Sequence, residues 1–417
     1  MTVRPLPCLA AVLLLAACHR AETPQAGHAH TGRGPYVVEE WALPVAPGTL
    51  APDLQASPDG RALLAWISSV PGRRNALQFS DADANGRWQT APRTIAIGNA
   101  IFANWADTPH VRVTPDGALW AQWLQKTPDD GGTAIALARS TDNGFSWSAP
   151  TRVDDGTPAE HGFVALWPAG NDTLGVAWLS GSAPASASDA GHAHGAETST
   201  LRGAVFDRTL QHATVQDIDT DACDCCRTAV AMTSRGPLLV YRGNRHDVRD
   251  ILATRFDGKA WRAPSLVHAD GWKMTACPVN GPAVTAQAAD VLVAWYTEAG
   301  GTPTVQLARS SDAGDHFAAP VVIDRGAAVQ GRVAVAVDAR QAWVAWLRED
   351  KGGASLWLSR WARDLSHELQ RIPVAKVRAR GVGSGYPQLL PLGDGVALVW
   401  TDVADGTPQL RGATVMH

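Results

Sequence analysis

The chain has 417 residues, of which 45% are hydrophobic and 18% charged, a composition that excludes an intrinsically disordered protein. The formal net charge of −4 gives no electrostatic basis for binding nucleic acid or an anionic membrane surface. Gly 39 and Pro 27 supply many tight turns, and no linker splits the chain into unlike halves, so residues 36–417 read as one large domain.

Residues 1–17 have the form of a targeting segment: Arg4 gives the positive start, and Leu9 to Leu15 form an apolar run too short to span a bilayer. The run ends in Leu15-Ala16-Ala17-Cys18, which resembles the lipobox of bacterial lipoproteins. The resemblance implies cleavage before Cys18, lipidation there, and membrane attachment in the bacterial cell envelope. His19 in place of Asp implies, by the same resemblance, the outer membrane facing the periplasm. An ordinary secretory signal with an incidental cysteine is the alternative. Residues 18–35, rich in Ala, Gly, Thr, Pro and His, read as a flexible tether.

From there on, an apolar run ending in an aromatic residue recurs seven times. Trp66, Trp123, Trp178, Tyr241, Trp295, Trp346 and Trp400 close these runs at steps of roughly 51–63 residues. Each unit holds several short strand-like runs between turn residues, and Ala-Pro pairs at Ala91, Ala149, Ala263 and Ala319 precede the last run of four units. Such a unit cannot bury both faces of a sheet alone, and stacking units around an axis does so. The period therefore predicts an all-β fold, a β-propeller of seven four-stranded antiparallel blades, with six as the alternative if one unit is misread. The last unit has three strands before the chain ends, and Tyr36–Leu43 belongs to no other unit. That segment is predicted to close the ring as the missing strand.

Turns between third and fourth strands carry a further pattern. Ser140-x-Asp142-x-Gly144-x-x-Trp147 is complete, Ser310-x-Asp312-x-Gly314-x-x-Phe317 nearly so, and Asp257-Gly258-x-x-Trp261 and Asn85-Gly86-x-Trp88 are partial. These resemble the Asp box (BNR repeat) of sialidase-like propellers. Physically, the Asp accepts turn N–H groups, Gly takes positive φ and the aromatic wedges into the core, so these residues are structural.

The unusual residues fall in loops that a propeller gathers on one face. They include Cys223-Asp224-Cys225-Cys226-Arg227, the loop from Arg242 to Asp250, and Cys277-Pro278-Val279-Asn280-Gly281-Pro282. Gly331-Arg332, Tyr386, His110 and His161 open other blades. Together the segments resemble an uncharacterised subgroup of sialidase-like bacterial propellers with CxCCR and CPVNGP motifs. That resemblance implies a shared site but supplies no reaction.

Several chemistries remain open at this face. The leading expectation is an anionic ligand or partner bound without turnover by Arg227, Arg249, Arg332 and Asn280. An exo-sialidase-like glycoside hydrolase is the first alternative, with the arginines on a glycan carboxylate, Tyr386 or Tyr296 as nucleophile and Asp247 as acid/base. Against it, the early Arg-Ile-Pro segment of sialidases is absent and cysteines at the site are foreign to that family. Salt bridges between blades are the bland reading of each arginine.

Outside the cytoplasm, Cys223, Cys225, Cys226 and Cys277 are expected to form disulfides, with Cys277 in bridging reach of the other three. A copper- or zinc-handling protein is the second alternative, because four thiolates suit Cu(I) or Zn. Gly27-His28-Ala29-His30 and Gly191-His192-Ala193-His194 are chelating in pattern, and His192 and His194 are the histidines set beside the cysteines as ligands. Incidental histidines in solvated loops are the plain reading.

Overall fold

The computed structural model describes residues 1–2, 35–127, 132–157, 159–181 and 198–417. Residues 3–17 of the expected signal segment, Cys18 and nearly all of the tether lie outside them, as do His28, His30, His192 and His194.

The described strands form seven four-stranded sheets, all antiparallel and consecutive in six blades. The inner strands are Thr49–Ala56, His110–Val113, His161–Pro168, Ala229–Thr233, Ala283–Gln287, Val329–Val337 and Gln388–Leu392. Each second strand carries one of the recurring aromatics, buried by the alternation of a sheet sandwiched between neighbours. Trp178, Trp295 and Trp346 are fully buried.

The seventh sheet closes the ring. Val37–Glu40 pairs with the last strand in the register Val37↔Met416 to Glu40↔Ala413. Trp41 continues the closure: its N–H donates to Gly412 O at 3.0 Å and its Nε1 to Gly86 O at 2.8 Å. Seven apolar clusters fill the spaces between blades.

The two fullest turn motifs share one geometry. Gly144 N donates to Ser140 Oγ at 2.9 Å and Ser146 N to Asp142 Oδ1 at 2.9 Å, while Trp147 packs edge-on against Phe79 of the preceding blade. Gly314 N and His316 N repeat these bonds to Ser310 and Asp312 at 2.8 and 2.9 Å.

Candidate functional site

All seven inner strands line a central channel with a volume of about 500 Å³. Three of them are bulged near their starts, between Leu50 and Asp53, Gly162 and Ala165, and Gly331 and Ala334. Each bulge holds a non-glycine residue at positive φ: Ala51 at 56°, Phe163 at 50° and Arg332 at 52°. Bulges re-aim side chains, and strained backbone of this kind collects where function demands it.

The first bulge turns Asp53 toward the second blade. Its carboxylate accepts from His110 Nδ1 at 2.9 Å, Val111 N at 3.1 Å and Arg112 Nη1 at 2.7 Å. Burial pushes Asp53 up, but the Arg112 and His110 charges outweigh it and hold the carboxyl far below the usual range. Burial also pushes the His110 imidazole down, against the pull of Asp53. His110 is therefore neutral near pH 7, with its Nδ1 hydrogen directed at Asp53. His110 lines the channel, and its Nε2 has no hydrogen-bond partner among the described residues.

Asp107 has the opposite environment. It is 5% exposed and accepts from Phe163 N at 2.5 Å and from Val164 N, a channel-lining residue. Burial raises it to about 7, against the lowering effect of those amides and of Arg227. The neighbouring strand approaches it so closely that a Cβ on Gly162 would lie 2.2 Å from Asp107 Oδ2.

Arg227 lies within electrostatic reach of both aspartates. Its guanidinium forms no ion pair or hydrogen bond among the described residues, and it sits 4.6 Å over the ring of Tyr386. Tyr386 stacks with Trp105 at 6.1 Å, and Arg332 lies 4.6 Å over Trp105. A run of cation, ring, ring and cation thus joins blades four, seven and six through the loop that opens blade two. Nearby, Thr108 Oγ1 and both side-chain polar atoms of Gln122, the register partner of His110, are buried without protein partners. Such atoms are normally satisfied, so they point to water or ligand at this position.

The other sequence candidates fall as follows. Arg332 donates to Gly381 O at 2.5 Å and to Ser384 Oγ. Arg249 is buried and donates to Met274 O at 3.0 Å, and its Nη1 has no partner. Neither pairs with Asp247 or Asp250; the Asp250 carboxylate instead accepts from Gly271 and Trp272 N–H groups. Asn280 uses its side chain to hold blade six, accepting from Arg332 N at 2.8 Å and donating to Gln330 O at 2.9 Å. Tyr386 donates to Val279 O at 2.6 Å, and burial raises its hydroxyl to about 12. Tyr296 donates to Glu298, and burial together with that carboxylate pushes it further up. Asp247 is not among the residues lining the channel.

The cysteine segment is the crossover from blade three to blade four, because Cys223 ends an outer strand by pairing with Thr198. The expectation that all four cysteines are bridged is corrected: Cys225 is bonded to Cys277, and Cys223 and Cys226 are buried free thiols. The sulfurs of Cys223, Cys225 and Cys226 lie within 4.8 Å of one another, the most sulfur-rich grouping open to a soft metal among the described residues. Asp53, Trp105, Asp107 and Arg112 were missed as site residues, and His110 was noted only as a blade opener. Asp53, His110 and Arg112 share one signal, polar residues in inner strands one repeat apart, whereas Trp105 and Asp107 lie in the loop before the second of those strands.

No family model matches the chain, and no curated protein matches it. Solved structures do. The polysaccharide lyase Uly1 superposes with a TM-score of 0.54 at 7% identity, over 91% of this chain and 92% of that one. The α-L-arabinofuranosidase Arb93A of Fusarium graminearum gives 0.47 at 14% identity, over 92% and 98%. A protein of unknown function from Dyadobacter fermentans gives 0.48 at 13%, over 92% and 98%. The Uly1 likeness agrees with the propeller fold that the seven sheets show. The named activities among these structures are glycan cleavages, against the expectation of a ligand face without turnover and in line with its hydrolase alternative.

Proposed function

We propose that the protein cleaves a carboxylate-bearing glycan at the mouth of the central channel, as a glycoside hydrolase. The observation that carries this reading is the pair of aspartates around Arg227, one held ionised and the other held protonated up to about pH 7. Environments that drive two acids apart in this way assign acid and base roles.

In this reading His110, oriented by Asp53 as a carboxylate orients an imidazole in other acid–base sites, takes a proton from water through Nε2. Asp107 delivers its proton to the departing glycosidic oxygen. Arg227 holds the sugar carboxylate, a role that its lack of a protein counter-ion leaves open. A second reading is β-elimination: neutralising a uronate carboxylate with Arg227 would acidify the neighbouring C–H for removal by His110. The fold of the lyase Uly1 is consistent with it. Anchoring at the outer membrane through Cys18 would place either activity on the periplasmic side of the cell envelope.

The test is an assay of the purified chain on sialylated, uronate-containing and neutral glycans. New reducing ends without an unsaturated product support hydrolysis. An unsaturated uronic product supports elimination. No cleavage of any acidic glycan by the folded protein would sink the proposal.

A further inference from the structure

The four sulfurs form one connected cluster. Cys226 Sγ lies 3.0 Å from Cys223 Sγ, Cys223 Sγ lies 3.6 Å from Cys225 Sγ, and Cys225 is bonded to Cys277. The two thiols at one end are buried, while the disulfide at the other is half-buried and open to solvent. The buried pair has Cys-x-x-Cys spacing, as Cys223-Asp224-Cys225-Cys226.

Charge is arranged around the buried end. Arg242 and Arg249 are each 1% exposed, and neither forms a salt bridge among the described residues. Arg242 donates to the carbonyls of Asn280 and Tyr296 at 2.7–3.0 Å, and Arg249 Nη1 has no partner at all. Buried cations need compensating negative charge. Cys226 supplies it. Burial alone would raise its thiol, but the hydrogen bond from Cys223 and the charges of Arg242 and Arg249 bring it below the usual range. Burial raises Cys223, which therefore keeps the shared proton.

We propose that these residues form a thiol–disulfide exchange site in which one bond migrates between an outer position, Cys225–Cys277, and an inner position, Cys223–Cys226. In the first step Cys223 passes its proton to Cys226 and its sulfur attacks Cys225. A Cys223–Cys225 bond forms, the Cys225–Cys277 bond breaks, and Cys277 leaves as a thiolate. In the second step Cys226 gives up that proton through solvent to Cys277 and attacks Cys223, and Cys225 leaves. One disulfide, two reduced sulfurs, one proton and one negative charge are present before and after, so no oxidant is required. Exchange of this kind depends on a thiolate in reach of a disulfide sulfur, and transfer of the Cys223 proton to Cys226 creates one 3.6 Å from Cys225 Sγ. Inward migration cuts the covalent tie between the blade crossover and the Cys277–Gly281 segment. That segment is packed so closely that a Cβ on Gly281 would lie 2.3 Å from Arg227 O.

The experiment equilibrates the full chain in glutathione buffers of graded oxidised-to-reduced ratio, quenches with acid and alkylates in denaturant. Peptide mapping then locates the free thiols. Two species with two labels each are expected, one labelled at Cys223 and Cys226 and the other at Cys225 and Cys277. C226S removes both the acceptor of the Cys223 proton and the second attacker, and is expected to keep the Cys225–Cys277 bond with Cys223 labelled. A single Cys225–Cys277 isomer at every ratio until all four thiols appear together would overturn the proposal. So would stoichiometric copper or zinc protecting the cysteines in protein purified without chelator. The wild-type measurement decides the matter even if C226S fails to fold, and it is independent of any glycan activity.

Discussion

The turns on the outer rim and the mouth of the channel both depend on aspartates, and they use them in opposite ways. Asp142 on the rim is exposed and satisfied within its own turn, where the hydroxyl and amide of Ser146 bring it down to about 2. Asp53 at the channel and Asp107, behind the channel-lining Val164, are 2% and 5% exposed and take their partners from the next blade. A carboxylate closed on its own turn can only hold shape. One suspended between blades has its proton affinity set by the assembly of the ring, and so becomes available for chemistry.

Substitutions can break this comparison, beginning with the largest effect. D107N keeps an acceptor for the Phe163 and Val164 amides but removes the transferable proton. It is expected to lower kcat/KM for glycan cleavage by about 10²–10⁴-fold with the thermal midpoint nearly unchanged. D53A leaves His110 and Arg112 without their buried counter-ion and is expected to cost about 3–5 kcal/mol in denaturant unfolding. G162A drives a methyl group into Asp107 Oδ2 and is expected to reduce cleavage while leaving the rim intact. D142A on the rim is expected to lower the thermal midpoint less than D53A and to leave kcat/KM alone.

These two buried aspartates also have opposite pH linkage. Asp107 has a raised folded pKa, so its contribution to stability is full below the ordinary carboxylate range and is lost as pH rises through about 7. Asp53 has a depressed one, so its contribution is present above that range and is lost as pH falls below it. Urea unfolding of D107N is therefore expected to lose less stability than wild type between mildly acidic and mildly alkaline pH.

The ring was legible in the sequence because its cause is local and repeated: one aromatic per second strand, and turn residues at fixed offsets. The closing strand was legible for the same reason, since Tyr36–Leu43 had no blade of its own. The rim turns were legible because Ser140, Asp142 and Gly144 satisfy one another within five residues. The channel chemistry was not. Asp53 meets His110 at a separation of 57 residues, and Asp107 meets Phe163 at 56, each one blade away. Only the bulges at Ala51 and Phe163 turn those positions toward each other, and neither Ala nor Phe announces a positive φ. The cysteines drew notice by their spacing, but which sulfur faced Cys277 depended on the blade crossover. The arginines drew notice by type, and burial decided that Arg249 and Arg332 would spend their donors on carbonyls and a hydroxyl while Arg227 kept its own.

The most direct test of the acid–base account is kcat/KM against pH for cleavage of an acidic glycan, compared between wild type and D107N. The account predicts a wild-type profile that falls as pH rises through about 7, and a D107N profile that is far lower and has lost that limb. A D107N enzyme with the wild-type rate and the same descending limb would contradict it.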